Sequence, residues 1–159
     1  MNAAIMTIDD EIAFLEQVPF FRRLSGGALR SLAIAAETYS MQAGEVLFTA
    51  GEAADGAYII QRGSVGLKPE RVDADEIVAG PGTLLGETAL LARTTRPATA
   101  TAREASTVLR VSRSTFLKIL DSYPEAAQRL RELFVSRSDQ WTREMENVRS
   151  VLRGGMPPQ

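Results

Sequence analysis

The chain has 159 residues, 45% of them hydrophobic, which is enough for one compact domain with accessory helices and too few for two comfortable ones. Charged residues make up 24% and the formal net charge is −2, so no overall field favours nucleic acid or an anionic membrane surface. Cysteine and histidine are both absent, which excludes disulfides, thiolate metal sites and the commonest general base near neutral pH.

The N-terminus from Met1 to Glu11 carries acids where a secretory signal has a basic flank. No run approaches the roughly 18 apolar residues of a spanning helix. The expectation is a cytoplasmic chain with no membrane segment.

Thr7 is placed to cap a helix, with Asp10 three residues on, and Ile8, Ile12 and Leu15 recur at helical spacing until Pro19 intervenes. Ser25 is a second cap, followed by Leu29, Leu32, Ala33 and Ala36 on one face of a helix ending near Glu37. From Tyr39 to Val111 the pattern changes to short β-type runs separated by Gly44, Gly51, Gly56, Gly63 and Gly66, read as corners. Strands are expected at 46–48, 57–60, 64–65, 77–79, 99–102 and 108–111, and their spacing suggests a barrel or roll. Helices resume at Ser112, a cap before Phe116, Leu117, Ile119 and Leu120, and Pro124 starts another. In that last helix Leu130, Phe134, Trp141, Met145, Val148 and Leu152 fall near one stripe, interrupted by Arg137. The expected organisation is N-terminal helices over 1–38, a β-roll over 39–111, C-terminal helices over 112–152 and a disordered tail over 153–159.

Several features carry no chemistry. Asp73, Asp75 and Glu76 lack the alternating spacing of a calcium loop, so no metal is expected. Arg22, Arg23 and Arg93 have no interleaved aromatics, and the last helix balances acids with arginines, so no nucleic-acid partner is expected. No nucleophile–base pair stands out, so the chain is not read as an enzyme.

The informative stretch runs Leu85-Gly86-Glu87-Thr88-Ala89-Leu90-Leu91 and then Arg96-Pro97-Ala98-Thr99. A glycine admits close backbone approach, a short helical turn after it offers N–H groups to an anion, and an arginine adds a fixed fork for phosphate oxygens. A carboxylate beside them accepts hydrogen bonds from sugar hydroxyls. Together they suit a ribose joined to a singly charged phosphate.

These residues resemble the phosphate-binding cassette of cyclic nucleotide-binding domains, the sensor modules of catabolite activators and kinase regulatory subunits. Upstream, Gly44-Glu45-Val46-Leu47-Phe48, Gly51-Glu52, Tyr58-Ile59-Ile60 and Gly63-Ser64-Val65 are similar to that family's glycine-cornered roll, and the resemblance runs from about Phe14 to Leu120. It implies an α+β fold, an antiparallel, jelly-roll-like β-roll flanked by N-terminal and C-terminal helices. It also implies that Glu87 accepts from the ribose 2′-hydroxyl and that Arg96 pairs with the cyclic phosphate. Gly86, Thr88 and Ala89 would shape the turn, Pro97 and Ala98 would follow the arginine, and Leu67 would lend an apolar side chain to the pocket.

The family usually has Ser, Thr or Ala where Pro97 stands; proline has neither the backbone N–H that helps hold phosphate nor the hydroxyl that often favours guanine. The resemblance thus implies cyclic AMP as ligand, with cyclic GMP second, and a stand-alone sensor whose C-terminal helices rearrange towards an unnamed protein partner. The last helix could pack on its own roll, close as a lid, or pair with its copy in a homodimer. The alternative is an interaction scaffold that keeps the fold without a ligand, Glu87 and Arg96 then being a surface ion pair.

Overall fold

The computed structural model describes residues 7–71 and 73–134, the last four by main chain alone. Four α-helices frame ten antiparallel strands: α1 (Ile8–Glu16), α2 (Gly26–Ala35), α3 (Arg113–Ser122) and α4 (Pro124–Phe134). The strands are β1 (Glu37–Met41), β2 (Val46–Phe48), β3 (Ala53–Ala54), β4 (Gly56–Arg62), β5 (Val65–Pro69), β6 (Ile77–Ala79), β7 (Leu84–Leu85), β8 (Thr94–Thr95), β9 (Ala98–Ala102) and β10 (Ser106–Ser112). Two 3-10 turns, Pro19–Arg23 and Glu87–Leu90, complete the elements of the described residues, which form an α+β antiparallel roll with flanking helices.

Helix starts follow the caps read from the sequence. Thr7 and Asp10 bond reciprocally, each main-chain N–H donating to the other's side chain at 3.1 Å. Ser25 accepts from the Ala28 N–H at 3.2 Å and Ser112 from that of Thr115 at 3.2 Å, each cap being worth about 1 kcal/mol. Helix α2 stops at Ala35 rather than near Glu37, because Glu37 opens β1 opposite Arg110. That strand lies at a sheet edge with most of its residues exposed, so its sequence lacks alternation.

The strands order as β1-β10-β4-β7 in one sheet and β2-β9-β5-β6 in a second, with β3 and β8 forming a two-stranded ribbon. The first sheet is covered on both faces. Ala57, Ile59, Leu84, Leu109 and Val111 face the helices, where Phe20, Phe21 and Phe116 pack with ring centroids 5.6–6.3 Å apart. Tyr58, Ile60, Leu85 and Val108 face the roll's interior with Phe48, Val65, Leu67 and Ala100 from the second sheet. Burial on both faces is why 57–60 reads as an unbroken apolar run.

Two corners of the roll are built alike. In each, a glutamate carboxylate accepts from the N–H three residues earlier at 2.8 Å, Glu45 from Gln42 and Glu52 from Thr49. In each, the preceding glycine N–H donates at 2.8 Å across the roll, Gly44 to Ala102 and Gly51 to Arg96. Gly56 and Gly66, by contrast, are strand residues rather than corners. At Gly56 a side chain would collide with Val111 and Ser112 of β10, so glycine there answers to close packing of neighbouring strands.

The side chain of Phe134, residues Arg137, Trp141, Met145, Val148 and Leu152, and the segment 153–159 lie outside the described residues.

Candidate functional site

Gly86 leaves β7 with φ +86°, a left-handed conformation that L side chains rarely adopt, and so turns the chain into the 3-10 turn Glu87–Leu90. The turn is closed by the Ala89 N–H donating to the Gly86 carbonyl at 2.9 Å and the Leu91 N–H to that of Thr88 at 3.1 Å. Ala89 and Leu90 are fully buried, and Leu90 anchors the turn in the helix-side core. The Thr88 hydroxyl is a buried oxygen with no hydrogen-bond partner among the described residues.

Arg96 arrives from the opposite side, at the end of the β3–β8 ribbon. Its main chain is fixed at both ends, the N–H donating to the Glu52 carbonyl and the carbonyl accepting from Gly51, each at 2.8 Å. The next strand is held nearby by the Ala50 N–H, which donates to the Thr99 hydroxyl at 3.0 Å. The guanidinium carbon lies 4.4 Å from the Phe48 ring centroid and 5.5 Å from that of Tyr58. The two rings, 5.9 Å apart, form an aromatic shelf on which the cation rests.

Glycine and arginine meet closely. A Cβ on Gly86 would lie 2.5 Å from Arg96 Nη1, so the guanidinium occupies the space that any other residue at 86 would fill. Glu87 is 3% and Arg96 4% exposed. The surface ion pair set out as the alternative is therefore corrected: both groups are buried, because the left-handed turn and the aromatic shelf draw them under the roll's surface.

Among the other expected site residues, Leu67 is buried on β5, opposite Ala100 and Ile77, inside the roll. Pro97 is half-buried, and Ala98 opens β9 opposite Pro69. The arrangement fits a cyclic nucleotide phosphate on physical grounds. One buried guanidinium matches one phosphodiester charge, a buried carboxylate offers acceptors to a hydroxyl, and the Thr88 hydroxyl is uncommitted. Among the described residues no cluster of acids could hold a metal ion.

Sequence reasoning missed the shelf and one arginine. Phe48 and Tyr58 read simply as strand residues, and only the pairing of sheets reveals that both lie beside Arg96. Tyr58 also reaches Arg110, which bridges Glu37 at 3.2 Å and Asp55 at 2.9 Å. Burial draws the Arg110 guanidinium down, but the Asp55 carboxylate and its hydrogen bond, with Tyr58, outweigh it and leave it above its ordinary value. Arg113 donates from α3 to the carbonyls of Ala54, Ala89 and Ala92. Its signal was a cation in the first turn of a helix, where the dipole disfavours it.

A family model described as the cyclic nucleotide-binding domain matches residues 39–123, more than half of the chain. The chain belongs to the cyclic nucleotide-binding domain family. A cyclic nucleotide-gated potassium channel of Mesorhizobium japonicum is 28% identical over 120 residues, covering 76% of this chain and 33% of the channel. A voltage-gated inwardly rectifying potassium channel of Rattus norvegicus is 31% identical over 117 residues, covering 72% of this chain and 12% of the channel. The chain thus spans a third or less of these curated relatives.

Among solved structures, a cyclic nucleotide-binding-like protein from Brucella abortus matches with a TM-score of 0.64 and 43% identity, over 71% of this chain and 99% of that one. The N-terminal domain of a transcriptional regulator from Streptomyces coelicolor matches with a TM-score of 0.65 and 28% identity, over 79% and 98%. The proteins that this chain is similar to thus include both channels and a regulator's N-terminal domain. No helix of the described residues is long and apolar enough to cross a membrane.

Proposed function

We propose that the chain is a cyclic nucleotide sensor, not an enzyme, that binds cyclic AMP in preference to cyclic GMP and signals to a protein partner through its C-terminal helices in the cytoplasm. The observation that carries this reading is the buried junction of Gly86, Glu87 and Arg96, a guanidinium against a left-handed glycine beside a buried carboxylate. In this reading Arg96 pairs with the cyclic phosphate and Glu87 accepts from the ribose 2′-hydroxyl. Gly86, Thr88, Ala89, Pro97 and Ala98 line the phosphate end and Leu67 meets the base from inside the roll. The preference for cyclic AMP rests on Pro97, which has no hydroxyl to offer a guanine and no N–H to offer phosphate.

Calorimetric titration with each nucleotide tests the reading. Wild type gives saturable heat, stronger with cyclic AMP, and Arg96→Ala loses a charge-assisted hydrogen bond worth about 1.5–3 kcal/mol, roughly tenfold to a hundredfold in affinity. Arg96→Lys falls nearly as far, because an ammonium cannot reproduce the stacked, planar fork. No heat from either nucleotide refutes the reading.

A second reading has its own support in the aromatic shelf. With its guanidinium face packed on Phe48 and Tyr58, Arg96 has a packing role that needs no phosphate. A scaffold that kept the roll for protein contacts, as a homodimer or with another chain, would bind no nucleotide and yet lose stability on Arg96→Ala.

A further inference from the structure

Arg113 stands at the first position of α3, after the Ser112 cap, with no acid in the helix's first turn to balance it. A cation there opposes the helix dipole, so its placement does not serve the helix itself. It serves a tertiary contact. Its half-buried guanidinium donates from one nitrogen, Nη1, to the carbonyls of Ala54 at 2.9 Å, Ala89 at 3.1 Å and Ala92 at 3.2 Å. Two hydrogens are thus shared among three acceptors, and among the described residues Arg113 makes no ion pair. Ala89 lies within the turn Glu87–Leu90 and Ala92 just beyond it, and Ala54 pairs with Thr94 on the ribbon that delivers Arg96. The main-chain N–H of Arg113 also donates to the Asp55 carbonyl at 2.7 Å. Both arms of the candidate site therefore converge on the first residue of α3, which packs against α4.

We propose that Arg113 is a positioning residue that clamps both arms of the nucleotide site to α3, so that closure of the turn is passed to the C-terminal helices through this guanidinium. The proposal rests on the sensor reading above. Loss of the clamp leaves nucleotide contacts in place and cuts the helices off from them.

The test is amide hydrogen exchange on the full chain, with and without saturating cyclic AMP, in wild type, Arg113→Gln and Arg113→Lys, with calorimetry giving affinity and occupancy. In wild type the nucleotide changes exchange both at Leu91–Ala92, whose N–H groups bond to the Thr88 carbonyl, and at Phe116–Leu120. In Arg113→Gln, compared at the saturation that calorimetry sets for each protein, the turn still responds, while the ligand-dependent change at Phe116–Leu120 falls about tenfold. Arg113→Lys, which keeps a cation able to reach some of the carbonyls, recovers part of it. A full α3 response in Arg113→Gln at full occupancy overturns the clamp. If wild type binds no nucleotide the sensor reading fails by itself, and the clamp is judged without ligand. Arg113→Gln then speeds exchange at Leu91–Ala92 and at the start of α3 together, whereas a change at α3 alone overturns it.

Discussion

Gly86 bears two demands at once, a positive φ and the presence of Arg96 Nη1 where a side chain would be. Gly86→Ala meets neither. The left-handed backbone costs about 1–2 kcal/mol for an alanine, and the methyl group pushes the guanidinium off the Phe48 ring. The expected outcome is a small loss of stability in denaturant melts and at least a tenfold loss of nucleotide affinity by calorimetry, about 1.4 kcal/mol or more. Unchanged affinity would show that the guanidinium does not need its present seat. Much of this site was legible in the sequence, because Gly86, Glu87 and Arg96 lie on one short segment and their chemistry is carried by residue type. Phe48 and Tyr58 were not, since what matters about them is proximity across 38 to 48 residues of chain, which no local pattern encodes. Arg113 was missed as well: its place at a helix start goes against the helix dipole, but its acceptors are main-chain carbonyls, which have no signature in residue type.

Among the secondary elements, caps and most of the longer strands were readable, whereas β1 and the two-residue strands were not. Thr7, Ser25 and Ser112 announce their helices through a local hydrogen bond. The ribbon of β3 and β8 pairs only Ala53 with Thr95 and Ala54 with Thr94, too short for any propensity to accumulate, although it is what aims Arg96. The twin corners offer a matched experiment on this ribbon. Glu45→Ala and Glu52→Ala each remove one carboxylate acceptor from an equivalent turn, at a cost of about 1 kcal/mol. Only Glu52 belongs to the corner whose main chain holds Arg96. Both variants should therefore melt slightly earlier than wild type, but only Glu52→Ala should bind nucleotide more weakly in calorimetry. Equal loss of binding in the two would mean that the ribbon does not aim the arginine.

At the level of the whole chain, the two cores share one sheet, and the question is whether they unfold as one body. Phe116 is fully buried among Phe20, Phe21 and the helix-facing residues of β4 and β10. Phe116→Ala should lower stability by about 3–5 kcal/mol, a large part of the roughly 5–15 kcal/mol typical of a domain. The loss should appear as one shifted transition by circular dichroism, and a split transition would mean that helices and roll are separate units. Saturating nucleotide at about 100 times Kd should return roughly 2.7 kcal/mol to either protein. The strand β4 has a further implication. Ile59 lies against the helices while Tyr58, its neighbour, supports the cation over the interior, so one strand divides the candidate nucleotide chamber from the helix layer. On the proposed sensor reading, thermodynamic reciprocity runs across that strand in both directions: if the nucleotide favours one arrangement of the outer helices, a partner that grips the same arrangement must tighten the nucleotide by the factor by which the nucleotide tightens the partner.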